Sequence, residues 1–276
     1  MDRRIFQLAL GALGIGTTEF VIMGLLPDVA KSLNISIPQA GHLISSYAFG
    51  VVVGAPVLIA FAAKYPPKKI LSYLMIAFVI FNGLSALVNG YYTMMIVRFL
   101  SGLPHGAFFG VGTVVATRLA KPGKQAQSIA MMFTGLTLAN LAMVPFVTWL
   151  GHQLSWRYAF GVVSVLGLLT LISLKFLLPY MESLRTTTLK DELEFFNSAK
   201  AWHIIAITGI GFGGLFAWFS YITPLMTTVS RFDKDFIAYI MVLAGAGMVI
   251  GNFLGGVMAD KMRPALAAAI LLTAMI

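Results

Sequence analysis

Few side chains in this 276-residue sequence can do chemistry: it has no cysteine, four histidines and ten acidic residues. The lack of thiols excludes disulfides, thiolate metal sites and cysteine nucleophiles. No histidine cluster has metal-ligand spacing and no carboxylate pair is set up for acid–base work, so no metal, no cofactor and no enzymatic reaction are expected. Glu19 stands apart as the one carboxylate well inside a long apolar run. Burial strips hydration from a charged carboxyl, which suits Glu19 to carry a proton or to hold a cationic substrate. The plainer alternative is a structural glutamate, protonated or paired with an arginine.

Arg98 opens another apolar run, and a guanidinium facing lipid at the midplane costs about 2.5–3.5 kcal/mol. It therefore faces the protein interior or snorkels to the interface as an anchor. His105 and Asn140 either line a substrate cavity or hydrogen-bond a neighbouring helix. Trp218 and Tyr221 either stack a ring-shaped substrate or join the interfacial aromatic belt. Asp28, at the end of the first run, is expected to be solvated. Late in the chain, Gly256-Val-Met-Ala-Asp260-Lys261-Met-Arg263 puts an acid and bases at a helix end. Such an acid can pair with a base on a neighbouring helix and latch one arrangement of the helices. The alternative is an ordinary basic loop.

These residues need a scaffold, and composition says which. Hydrophobic residues make up 59% of the chain and charged residues 11%, whereas soluble domains carry about 25% charged residues. The chain therefore needs lipid. A net charge of +9 invites thoughts of nucleic acid, but the basic residues sit in short gaps between apolar runs, where they set membrane orientation instead. A spanning helix takes about 20 apolar residues, which predicts helices near 5–27, 40–63, 69–89, 93–118, 126–150, 157–179, 202–226 and 235–259, with another starting at 264. The first run is too long for a signal peptide and is expected to be retained. The N-terminus and alternate gaps hold thirteen Lys and Arg against four in the other gaps. By the positive-inside rule this multi-pass protein has a cytoplasmic N-terminus.

Residues 180–201 carry mixed charges and read as a cytoplasmic linker between an N-terminal six-helix bundle (1–179) and the start of a second (202–276). A repeat supports the division. A shift of 197 residues places Pro27 on Pro224, Gly50 on Gly247, Gly54 on Gly251, Ala62 on Ala259 and Lys64 on Lys261. Lys64 thus counterparts the late loop, although Ala63 stands where that loop has Asp260. The reading is an all-α polytopic fold of two six-helix bundles, the second incomplete, with about eight and a half helices in all. By the repeat, the chain is expected to lack the remaining helices.

Parallel six-helix repeats are the plan of the major facilitator superfamily, and the motifs resemble it closely. The late loop is similar to that superfamily's G-x-L-a-D-r-x-G-r signature. Helix four begins Arg98-Phe-Leu-Ser-Gly102-Leu-Pro104-His105-Gly106 and resembles the signature tied to proton coupling, so the resemblance implies that role for Arg98. Helix five, Gly135-Leu-Thr-Leu-Ala139-Asn140-Leu-Ala-Met143-Val-Pro145-Phe-Val147, resembles the antiporter motif, departing from its small residues at Met143 and Val147. The runs TEFVIMGLLPDVA (18–30), SYAFGVVVGAPV (46–57), LANLAMVP (138–145), SWRYAF (155–160) and FAWFSYITP (216–224) are similar to the AraJ-type sugar-efflux branch of the twelve-helix drug–proton antiporters. The resemblance implies a monomeric secondary transporter of the bacterial inner membrane. It would export a small molecule (sugar, nucleoside or drug-like) against protons, with the lipid bilayer as its other partner. The alternative is a sensor or scaffold that keeps the fold and does not transport.

Overall fold

The computed structural model describes residues 5–62, 65–122, 124–183 and 194–273. They form helices α1 (Phe6–Gly24), α2 (Leu26–Leu33), α3 (Ile37–Ala62), α4 (Pro67–Leu87), α5 (Tyr91–Leu119), α6 (Gln125–Leu138), α7 (Val144–Gln153), α8 (Trp156–Leu177), α9 (Ala199–Ser220), α10 (Ile237–Lys261) and α11 (Pro264–Thr273). A π-helical segment, Ala139–Met143, joins α6 to α7, so the two make one span. Eight helical stretches are long and apolar enough to cross a membrane, in agreement with the sequence. The first apolar run is not one straight rod. Helix α1 stops at Gly24, and α2 restarts at Leu26 with Pro27 at its second position, where the missing N–H costs nothing.

Helices α1 and α3 to α8 form the first bundle, with α1 at its centre. Close approach is built from glycines. A Cβ on Gly50 would overlap the Phe99 carbonyl, one on Gly54 the Leu103 carbonyl, and one on Gly102 the Tyr47 carbonyl, so α3 and α5 pack backbone to backbone. Polar side chains tie off both ends. At the end where α1 begins, hereafter the basic end, Lys68 Nζ donates to the carbonyls of Lys175 and Leu178, each at 2.7 Å. At the far end Arg157 donates to Ser32 Oγ, the Val88 carbonyl and Asn89 Oδ1 at 2.7–3.1 Å, and its guanidinium lies over the Trp156 ring.

The apolar core divides by height. The basic-end cluster, including Leu8, Met75, Phe78, Phe108, Met132 and Leu174, draws only on the first bundle. The far-end cluster pools Phe20, Val21, Met23, Val147 and Phe160 with Phe219, Ile222, Ile237 and Met241 from the later helices. Thr223 Oγ1 also donates to the Gly24 carbonyl there, at 2.9 Å. Toward the basic end α9 turns outward: Ile204, Ile207, Ile210 and Phe212 are exposed, and nothing lies within 4 Å of where a Cβ on Gly209, Gly213 or Gly214 would sit. The two sets of helices are clasped at the far end and part toward the basic end.

Candidate functional site

Arg98 is fully buried in the first bundle, so it faces the interior and does not snorkel. Its Nη1 donates to Thr18 Oγ1 at 3.2 Å and its Nη2 to the Thr18 carbonyl at 3.3 Å. Thr18 in turn donates to Asn82 Oδ1, and Asn82 is anchored on the Phe78 carbonyl at 2.8 Å. The Tyr47 ring lies under the guanidinium, 4.3 Å from its carbon, and Phe160 stands 5.5 Å away on α8. Four helices thus converge on one cation, whose Nε has no hydrogen-bond partner among the described residues. A desolvated cation so sparsely bonded is expensive unless a negative charge answers it.

That charge comes from the next residue along α1. Glu19 is half-buried, between Thr18, which holds Arg98, and Phe20, which stacks on Phe216 at 5.6 Å and meets Phe219 edge-on at 5.5 Å. Arg98 is the charge that acts on Glu19 electrostatically, yet no ion pair within 4 Å joins them. Glu19 makes no hydrogen bond among the described residues and is open to bind a proton or a ligand. It sits where the first bundle meets α9.

The other predicted residues do not all converge there. His105 lies two turns along α5 from Arg98 and shares a partner with it: Tyr47 Oη is 3.0 Å from His105 Nδ1. Asn140 is buried within the π-helical segment and donates to the Leu136 carbonyl at 3.2 Å, leaving its Oδ1 unpartnered. A Cβ on Gly245 of α10 would overlap the Asn140 backbone. The small residue at this close crossing is thus on α10. Trp218 and Tyr221 are each about two-fifths exposed, and the Tyr221 hydroxyl fills the space where Gly41 lacks a side chain. They mark the far-end clasp.

Asp28 corrects an expectation. It is not simply solvated but lies 2.9 Å from His152 Nδ1. Burial pushes its carboxyl up, but the adjoining His152 imidazole and the charge of Lys234 hold it below its ordinary value. Lys64 lies outside the described residues. Gly256, Asp260 and Lys261 fall in the last turns of α10, and their side chains are likewise outside what is described. Thr18, Tyr47 and Asn82 were not anticipated. Their only sequence signal is a polar atom within an apolar run.

The major facilitator superfamily model matches residues 8–276. The chain belongs to the major facilitator superfamily. This transporter-family chain is a membrane protein and not an enzyme. It is 42% identical over 270 residues to the putative transporter AraJ of Escherichia coli K12, covering 98% of this chain and 68% of that protein. It is 30% identical over 255 residues to a probable sugar efflux transporter of Helicobacter pylori, covering 92% of this chain and 65% of the relative. The chain thus spans about two thirds of the length of these facilitators. The fold superposes with a TM-score of 0.75, at 17% identity, on a bacterial homologue of the human lysosomal transporter Spinster, solved in an inward-facing and unoccupied conformation. That pairing covers 96% of this chain and 64% of the other.

Proposed function

We propose that this protein exports a small molecule, of sugar, nucleoside or drug-like size, in exchange for protons. The observation that carries the proposal is the placement of Glu19 beside the fully buried, incompletely bonded Arg98, at the seam between the helix sets. A proton on Glu19 removes the charge that answers Arg98. Proton binding therefore changes the energy of the seam, and a ligand shifts a two-state equilibrium only by such a difference. Substrate would bind near the midplane between the bundles, residues 1–179 and those from 202 onward, joined by the 180–201 linker. His105, Asn140, Trp218 and Tyr221 would be its contacts. Lys64, Gly256, Asp260 and Lys261 would latch the basic end when it closes.

The basic residues favour an N-terminus in the cytoplasm of the bacterial inner membrane. The far-end clasp then describes a state open to the cytoplasm. The test is substrate-evoked proton efflux from everted vesicles carrying the protein, with arabinosides, purine nucleosides and amphenicols added singly. Efflux should vanish in Glu19→Gln. Export that survives this change would place the proton carrier elsewhere. Arg98→Met should also abolish coupling and lower thermal stability by about 3 kcal/mol, because it leaves the Glu19 charge and the Thr18 acceptors without their partner.

A further inference from the structure

Outside the seam, an apolar groove of about 370 Å³ opens on the lipid-facing side of the first bundle. Helices α3 and α4 each pack on α5 but not closely on one another. The α3–α5 contact is set backbone to backbone by glycines, which draws α3 away from α4 and leaves the furrow. Its floor is Leu103 and Pro104 of α5, and Ile70, Leu74, Ala77 and Phe81 run along one wall. At 1.5 Å per residue, Ile70 to Phe81 spans about 16 Å, from the membrane interface to beyond the middle of α4.

The mouth differs from the floor. Tyr65 and Tyr73 flank it, both about half exposed, as aromatic residues at headgroup depth do. Lys69 Nζ stands between them, 5.5 Å from one ring centroid and 5.8 Å from the other. Its neighbour Lys68 is consumed by two carbonyls, but Lys69 has no hydrogen-bond or ion-pair partner among the described residues. A cation held at the interface over a deep apolar slot is complementary to one kind of molecule, an acyl chain bearing an anionic headgroup. We propose that this groove is a binding site for a single anionic phospholipid, with one acyl chain between α3 and α4 and the phosphate on Lys69.

Native mass spectrometry of the detergent-purified chain tests this, using dioleoyl phosphatidylglycerol and dioleoyl phosphatidylcholine as probes. One phosphatidylglycerol should be retained about fivefold more tightly than phosphatidylcholine, the worth of one lysine near an anionic headgroup. Lys69→Gln, an exposed change that spares the fold, should bring the two lipids level, and Lys69→Arg should restore the preference. Ala77→Trp should fill the slot and lower retention of both, with its circular dichroism spectrum reporting whether it folds. Equal retention of the two lipids by the unmodified chain overturns the proposal. So does an undiminished preference in Lys69→Gln.

Discussion

Gly50 and Gly54 on α3 and Gly247 and Gly251 on α10 are one glycine pair written twice, 197 residues apart, yet they meet different surroundings. On α3 the pair is pressed against the backbone of α5. On α10 nothing lies within 4 Å of where their side chains would begin. A glycine pair therefore permits a close approach and does not by itself supply the neighbour. Helix α10 approaches the first bundle at Gly245, against the Asn140 backbone, toward the far end.

The sharpest way to break this comparison is to put the same side chain into both copies. Gly54→Leu must displace the Leu103 backbone, and overpacking of this kind costs about 3 kcal/mol or more. Gly251→Leu should stay within about 0.5 kcal/mol, as surface changes do. Thermal unfolding in detergent reads both, and equal losses would mean that the two glycines share an environment after all. A smaller effect is expected from Thr223→Val, which removes the bond to the Gly24 carbonyl while leaving α3 and α5 untouched. The loss should be about 1 kcal/mol, accompanied by slower disulfide cross-linking between cysteines introduced at the facing ends of α9 and α1. Unchanged clasp stability would show that apolar packing alone holds the far end.

The smallest effect concerns pH. Asp28 sits below its ordinary value of 3.8 in the folded chain, so its pairing contributes in full above that value. The contribution is lost as acid carries the solution down through the lowered folded value. Unfolding scans from pH 6 to pH 3 should therefore show a steeper loss in the unmodified chain than in Asp28→Asn. Parallel curves would mean that His152 and Lys234 add nothing to the folded state through Asp28.

How much of this was legible in the sequence depends on what each feature rests upon. Spans are fixed by burying backbone in apolar runs, and the eight expected helices appear near their expected bounds. The break at Leu25 was signalled by Pro27, but the apolar run continues across it, so hydropathy alone reads one helix. The π-helical turn at Ala139–Met143 is followed by Pro145, whose missing N–H interrupts the helical ladder, but hydropathy alone does not show the turn. In the site, Glu19 and Arg98 were legible because charge in an apolar run is conspicuous. Thr18, Tyr47 and Asn82 were not, since a lone hydroxyl or amide in a span is common, and only the fold reveals that they gather on one guanidinium.

Arg157 also bears on the order in which the protein is made. Its guanidinium bonds residues 125, 69 and 68 positions earlier in the chain, on α2 and at the end of α4. Those groups leave the ribosome and enter the bilayer well before Arg157 is synthesised, and until it arrives they must find water or lipid headgroups instead. The first five spans can thus be inserted, but they cannot be locked. The start of α8 is the step at which a loose set of inserted hairpins becomes a fixed body, against which everything synthesised later can dock.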